Sequence, residues 1–128
     1  MIIRSQFKRW KWKYTKNEAY IIPLKAVVNA TDTFFINSKN STRLVTLAGN
    51  LLTIHRHYHF DGATHAPDIK SGLKWYAQHD AMIQLHQKYP SIISREMADS
   101  VLDPRLRSSP LHLWLYYPAV RAYSTLTK

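Results

Sequence analysis

The first half of the chain alternates between apolar and polar positions with a period of two, which predicts β-strands. Aromatic and basic side chains interleave over residues 7–14, and runs rich in β-branched and aromatic residues follow. These runs cover residues 20–28, 33–37, 42–47 and 51–60. Turn-forming stretches at residues 37–41 and 48–50 separate the later runs, so we expect antiparallel hairpins there.

After Pro67 the apolar positions change to helical spacing. One face of this segment carries Leu73, Tyr76, Ala77, Asp80 and Ile83. The segment closes at Tyr89, because a residue before proline disfavours the helical conformation. We therefore predict a helix of about four turns.

Two further helices are predicted in the last third of the chain. Ser94 is a suitable N-cap for a short helix that runs to Leu102, and residues 111–126 indicate a closing helix with Pro118 as a kink. The resulting fold class is α+β, with a small antiparallel sheet packed against about three C-terminal helices. We predict a single domain over residues 1–128, strand-rich over 1–66 and helical over 67–128.

The amino-acid composition gives the chain a strong positive charge. Lys and Arg number 18 against 8 Asp and Glu, so the formal net charge is +10. Such a charge favours a polyanionic neighbour, namely nucleic acid, an anionic membrane surface or an acidic protein face. A solvated basic surface is the alternative. The chain has no cysteine, which excludes disulfides, and no run of about 18 apolar residues, so we expect no transmembrane segment.

Histidines mark a candidate site for chemistry, because six of the seven fall between residues 55 and 86. On a continuous strand, alternate side chains share one face, and this face would carry His55, His57, His59 and Asp61. Neighbouring ligands there are close enough to share a cation. The candidate metal ligands are Asp61, Asp80, His57 and His59, so the cofactor is either none or a divalent metal ion. The alternative is a solvated strand face without a metal.

The adjacent pair His79-Asp80 lies on the first predicted helix, where both side chains can border one cleft. A histidine beside an acid can act as a general base while the carboxylate holds a metal or a substrate. Asp99 could reach back and orient the imidazole through its second ring nitrogen. The candidate catalytic residues are therefore His79, Asp80 and Asp99. Alternatively, the two aspartates pair with Arg95 or Arg121 and only pin the helices together.

The basic aromatic start of the chain is a second candidate surface. Trp10 and Trp12 could stack on nucleic-acid bases while Lys11 and Lys13 follow the phosphates. On a strand, however, the aromatic and the basic side chains point to opposite faces, which favours aromatics in the core and cations in solvent. A third interpretation is that an exposed aromatic face docks on a neighbouring subunit.

Four short motifs follow one another along the second half of the chain. They are Asp-Gly-Ala-Thr-His-Ala-Pro at 61–67, Ala-Gln-His-Asp at 77–80, Ile-Ser-Arg-Glu-Met-Ala-Asp at 93–99 and Leu-Tyr-Tyr-Pro-Ala-Val-Arg at 115–121. In order and spacing they resemble a family of uncharacterised proteins from tailed bacteriophages and prophages. That family carries Asp-x-Ala-Ser/Thr, Leu-His-Asp and Ser-Arg-x-x-Ala-Asp motifs. The resemblance covers about residues 45–122, and Gln78 departs from it by replacing the apolar residue before the histidine.

The resemblance implies a phage origin and a shared pocket formed by Asp61, His79, Asp80 and Asp99, but it implies no mechanism. Three functions stay open. The first is a virion or assembly component, associated with the tail, neck or baseplate, whose polar cluster is structural. It would work in an oligomeric assembly with other phage structural proteins, in the virion or the host cytoplasm. The second is a small metal-dependent hydrolase acting on cell envelope or nucleic acid. The third is a basic accessory protein that binds nucleic acid or a host protein.

Overall fold

The computed structural model describes residues 1–4, 12–23, 33–37, 44–60, 72–107 and 111–127. Its strands lie in the N-terminal half and its helices in the C-terminal half, which confirms the predicted α+β fold. The strands form two small sheets, whereas the sequence predicted one. Within the described ranges, none of the helices combines the length and the hydropathy that crossing a bilayer requires.

Seven strands lie in the described ranges, and their pairings are antiparallel. In chain order they are β1 (Ile2–Arg4), β2 (Trp12–Tyr14), β3 (Glu18–Ile21), β4 (Thr33–Asn37), β5 (Leu44–Ala48), β6 (Leu51–Ile54) and β7 (His59–Phe60). The three-stranded sheet has the order β1-β2-β7, and the four-stranded sheet has the order β3-β6-β5-β4.

The β5–β6 hairpin shows how the alternating pattern builds the larger sheet. Its turn includes Gly49 with a φ of 61°, in the left-handed region that glycine adopts without steric cost. Val45 pairs with Ile54 and Leu47 pairs with Leu52, and all four side chains are fully buried. The residues between them point to the opposite face and are half-buried or exposed. One face of the sheet therefore covers the core.

An aromatic cluster connects the two sheets. Tyr14 on β2, Phe60 on β7 and Tyr58 just before β7 are fully buried, and the ring centroids of Tyr14 lie 5.9 Å from Phe60 and 6.3 Å from Tyr58. The Tyr14 hydroxyl hydrogen-bonds to the hydroxyl of Tyr20 on β3 at 2.9 Å. Burial raises the pKa of both tyrosines, so both hydroxyls stay protonated.

The C-terminal half contains α1 (Leu73–Lys88), α2 (Arg95–Asp99), a 3-10 turn (Ser100–Leu102) and α3 (His112–Thr127). The predicted cap of α2 is confirmed, because the Ser94 hydroxyl accepts the Met97 N–H at 3.1 Å. α1 is central: it packs on β4 and β6 and also on α2 and the 3-10 turn. α3 packs on α2 and the 3-10 turn, and Pro118 lies inside it.

The prediction of one continuous strand over residues 51–60 is wrong. β6 ends at Ile54, and the chain turns through His57 before β7 begins in the other sheet. His57 has a φ of 74°, and its N–H donates to the Tyr14 carbonyl at 2.9 Å, so the turn is fixed by the neighbouring strand. His57 is exposed and His59 is buried, so the two side chains do not share a strand face.

Candidate functional site

A buried carboxylate lies at the centre of the helical half. Asp99, the last residue of α2, is 0% exposed and accepts hydrogen bonds from four side chains. His79 Nε2 and Ser124 Oγ each lie 2.7 Å from it, Arg121 Nη1 lies 2.9 Å from it, and Arg95 Nε lies 3.4 Å from it. An ionised carboxylate only accepts, so Nε2 of the histidine carries the proton of that bond. We call these five residues the Asp99 cluster.

The local sequence explains why these side chains meet. Capping by Ser94 starts α2 at Arg95, and four residues later Asp99 falls on the same face of the helix. Arg121 and Ser124 are three residues apart, so both reach the carboxylate from one face of α3. His79 reaches it from α1. A single carboxylate therefore connects three helices.

The cluster keeps Asp99 ionised. Burial alone would raise the pKa of Asp99, but the hydrogen bond and charge of His79, together with hydrogen bonds from Ser124 and Arg121, outweigh burial and lower it below the ordinary value of 3.8. The two arginines are each 25% exposed, so their guanidinium groups reach the surface while the carboxylate does not. The negative charge at the core is thus compensated locally.

The structure gives the adjacent pair His79-Asp80 two different sets of partners. His79 bonds to Asp99, as the sequence predicted, whereas Asp80 Oδ2 accepts the Tyr58 hydroxyl at 3.2 Å on the sheet side of α1. The predicted pairing with Arg95 and Arg121 is found for Asp99. Among the ion pairs of the described residues, Asp80 has neither arginine as a partner.

The candidate metal ligands lie in separate environments. His57 is exposed in the turn after β6, His59 is 3% exposed on β7, and Asp80 lies on α1. Asp61 falls outside the described residues. Within those residues, no group of three or more histidine or acidic side chains could hold a metal ion. His55, the first histidine of the predicted strand face, instead hydrogen-bonds to Thr46 at 3.2 Å.

The basic aromatic segment is described only in part, because Trp10 and Lys11 lie outside the described residues. Trp12 is half-buried against the core, and the Arg4 guanidinium lies 5.0 Å from the centre of its ring. Its neighbour Lys13 is also half-buried. Trp12 therefore packs against the core, as the interpretation with aromatic side chains in the core predicts.

Sequence reasoning missed Ser124 and Arg107. Ser124 is one of three small hydroxyl residues near the end of α3, and its place three residues after Arg121 is its main signal. Arg107 donates to the Ile21 carbonyl on β3 at 3.0 Å and to the Val101 carbonyl at 3.3 Å. Burial lowers the pKa of Arg107 to about 10. This arginine ties the 3-10 turn to the edge of the larger sheet, which no sequence pattern indicated.

Gln78 is a buried polar side chain whose cost to stability can be measured. It is 0% exposed, and neither polar atom of its amide forms a hydrogen bond with a residue that the structure describes. A buried amide without partners costs about 1–3 kcal/mol. We therefore expect Gln78→Leu to raise the free energy of unfolding by about 1 kcal/mol, as measured by urea denaturation.

Gln84 on the same helix is the matched control for this substitution. Its Oε1 lies 3.1 Å from the Tyr58 hydroxyl and shares the single proton of that hydroxyl with Asp80 Oδ2. We expect Gln84→Leu to lower the free energy of unfolding by about 1 kcal/mol, because it removes a formed hydrogen bond. If Gln78→Leu destabilises the protein as much as Gln84→Leu does, the Gln78 amide has a partner and the prediction is wrong.

The fold and the Asp99 cluster define a small α+β protein whose three helices are joined by a buried network of charged and polar side chains. No protein-family model, no curated protein and no solved structure matches the chain. The resemblance of its motifs to phage proteins therefore stays a prediction.

Proposed function

We propose that this protein is a structural component of a larger assembly, in the virion or on the assembly route of a tailed phage, and that the Asp99 cluster stabilises its fold. The phage part of the proposal rests on the resemblance of the four sequence motifs to phage proteins. The geometry of the cluster supports the structural role. The partners under this proposal are other structural proteins of the particle, and the protein resides in the virion or, before assembly, in the host cytoplasm.

The observation that carries the proposal is the enclosure of Asp99. Four side-chain donors from three helices surround a carboxylate with no exposed surface. An ionised carboxylate has about four lone-pair positions, so these donors occupy its accepting capacity. A catalytic acid or base must exchange a proton with substrate or solvent. The enclosed carboxylate is better suited to holding α1, α2 and α3 together.

Exposed apolar side chains support a role in assembly. Twelve large hydrophobic side chains among the described residues are at least 37% exposed. Five of them lie on α3 or directly before it, and another two, Ile21 and Leu51, are opposite each other on β3 and β6. Exposed apolar side chains that are grouped in this way are typical of protein–protein contacts.

Mass spectrometry of purified particles tests the proposal. We expect the protein to be present at a constant ratio to the major capsid protein across density-gradient fractions. Nuclease treatment and a wash in high salt before the gradient should leave this ratio unchanged, because a structural protein is held by protein contacts. Absence of the protein from both the particles and their assembly intermediates would contradict the proposal.

The contact between His79 and Asp99 favours a second candidate, a small hydrolase of cell envelope or nucleic acid. The His79 side chain is 19% exposed, and Asp99 orients its ring through Nε2 at 2.7 Å, as in general-base catalysis. A metal in this hydrolase would depend on Asp61, which lies outside the described residues.

The hydrolase candidate predicts that Asp80→Asn abolishes hydrolysis of peptidoglycan or DNA while Tm stays within about 2 °C of the wild type. Lack of any hydrolysis by the wild-type protein with added divalent metal would remove it.

A further inference from the structure

The outer face of α3 is apolar, exposed and uncharged. Its large side chains, together with Leu111 directly before the helix, are Leu111 (80% exposed), Trp114 (51%), Leu115 (74%), Tyr123 (49%) and Leu126 (84%). Among the described side chains of residues 111–127, Arg121 carries the charge, and it points inward to Asp99. The solvent-facing side of a surface helix usually carries charged or polar residues. An uncharged apolar face exposed to water is therefore unusual in a chain with a net charge of +10. The face is therefore a candidate contact surface.

Small residues occupy the middle of this face. Pro118, Ala119 and Ala122 are exposed and lie between Leu115 and Leu126 along the helix. Small side chains at the middle of a helix face allow the backbone of a second helix to approach closely. The large side chains at the two ends can then close around the contact.

Large and small side chains along the face are complementary when the helix is reversed about its midpoint. Reversing the helix about a point between Pro118 and Ala119 brings Leu111 level with Leu126 and Leu115 level with Ala122. By the same operation, Trp114 and Tyr123 fall at matching levels on the two edges of the face. In an antiparallel pair about this point, each residue meets in the partner the residue that it faces in return. The large Leu115 side chain thus meets the small Ala122 side chain twice.

The area of this face and the fit of Leu115 against Ala122 favour a second copy of this chain as the occupant. Nucleic acid or an acidic protein would bind through cations, and the described side chains of this face carry none. The five large side chains expose roughly 500 Å² together, judged from ordinary side-chain areas. Two such faces would bury on the order of 1,000 Å², which is the lower limit for a specific interface. A weak, reversible dimer is the expected result.

We propose that α3 pairs in antiparallel orientation with α3 of a second copy of this chain, about a two-fold axis that passes between Pro118 and Ala119. The contact is apolar and does not use the charges of the chain. It goes beyond the proposed function and stands without it, since a dimer forms in the purified protein whether or not a particle contains it.

Sedimentation equilibrium of the purified chain tests the dimer. We expect Leu115→Glu to weaken dimerisation by about 100-fold or more, because it places a charge in the middle of the contact. The matched control is Ile92→Glu, at an apolar side chain that is 50% exposed in the connection between α1 and α2. Ile92→Glu should dimerise like the wild type. A wild-type protein that is monomeric up to about 500 µM, or a Leu115→Glu variant that dimerises normally, would overturn the proposal.

The dependence of dimerisation on salt distinguishes a second copy of the chain from other binding partners of this face. Two copies of charge +10 repel each other, so raising NaCl from about 0.1 M to 0.5 M should strengthen the dimer by screening that repulsion. Binding to nucleic acid or to an anionic membrane would instead weaken with salt. A chain that stays monomeric but co-sediments with phosphatidylserine vesicles through Leu115 would show that the face binds lipid, and this would also overturn the proposal.

Disulfide trapping tests the antiparallel orientation, since the chain has no native cysteine. Ala119→Cys places the two thiols next to the two-fold axis, so mild oxidation should trap a covalent dimer within minutes. Leu126→Cys is the control: in an antiparallel pair its two copies lie roughly 20 Å apart along the helices and should not cross-link. Efficient cross-linking of Leu126→Cys together with Ala119→Cys would indicate parallel helices and contradict the proposed pairing.

Discussion

Asp99→Asn is expected to lower the free energy of unfolding by about 3–5 kcal/mol, the usual cost of removing one member of a buried ion pair. The substitution keeps the volume of the side chain but removes the negative charge that Arg95 and Arg121 face. The new amide N–H₂ group would also oppose the donors on His79 or Ser124. Unfolding in urea, followed by tryptophan fluorescence and by circular dichroism, measures the change.

Asp103→Asn is the matched control for this prediction. Asp103 is also buried, at 1% exposed, but its ion-pair partner Arg105 is 61% exposed, so solvent screens that pair. Its loss should be clearly smaller than that of Asp99→Asn, because the new amide oxygen still accepts the Arg105 N–H and the substitution removes only the acceptor of the exposed Arg105 Nη2. If Asp99→Asn costs no more than Asp103→Asn, the Asp99 cluster does not hold the helices together.

The same substitution should change how stability depends on pH. Because folding lowers the pKa of Asp99 below 3.8, its ionised form stabilises the native state fully above that value. This contribution is lost as the pH falls below 3.8 through the lower pKa of the folded state. The difference in unfolding free energy between the wild type and Asp99→Asn should therefore shrink between pH 5 and about pH 2. A difference that stays constant over this range would show that the charge of Asp99 is not the stabilising feature.

Phe60→Ala is expected to destabilise the protein by about 3–5 kcal/mol through the cavity that it leaves. Phe60 is fully buried on β7 and packs against Tyr14 and Tyr58, with ring centroids 5.9 Å and 6.3 Å away. These rings join the smaller sheet to the core, so the substitution should also increase hydrogen exchange at the amides of β2. Urea unfolding and amide exchange measured by NMR give the two results.

Phe35→Ala tests whether this effect comes from burial. Phe35 lies on β4 and is 46% exposed, with the Lys88 ammonium 4.7 Å from the centre of its ring. The same substitution should lower the free energy of unfolding by about 1 kcal/mol at this site, because the half-exposed ring buries less apolar area in the folded state. Equal losses at both positions would contradict the assignment of Phe60 to the structural core.

The sequence predicted the fold class because both periodicities were strong. The alternation over residues 44–54 corresponds to buried Val45, Leu47, Leu52 and Ile54, and the capping signal at Ser94 correctly started α2. The break between β6 and β7 at residues 55–58 could not be predicted from this alternation. Polar and apolar residues continue to alternate through the turn, and the contact that bends the chain is a hydrogen bond to Tyr14, more than forty residues away.

The candidate site was predicted in part. The spacing of the motifs placed His79 and Asp99 on neighbouring helices, and the structure joins them at 2.7 Å. The pairing of Asp80 with Tyr58 was not predicted, because it depends on how the sheet packs on α1. Ser124 was missed for the same physical reason: the sequence does not show which hydroxyl of α3 faces Asp99, because that depends on how α3 packs on α2.

A double-mutant cycle between Asp99 and Arg121 tests most directly that a buried charge joins the three helices. The free energy of unfolding is measured for the wild type, Asp99→Asn, Arg121→Met and the double variant under the same conditions. Because Arg121 Nη1 lies 2.9 Å from the carboxylate of Asp99, the account predicts a coupling energy of about 2 kcal/mol or more. Single losses that add to within about 0.5 kcal/mol of the loss in the double variant would contradict it.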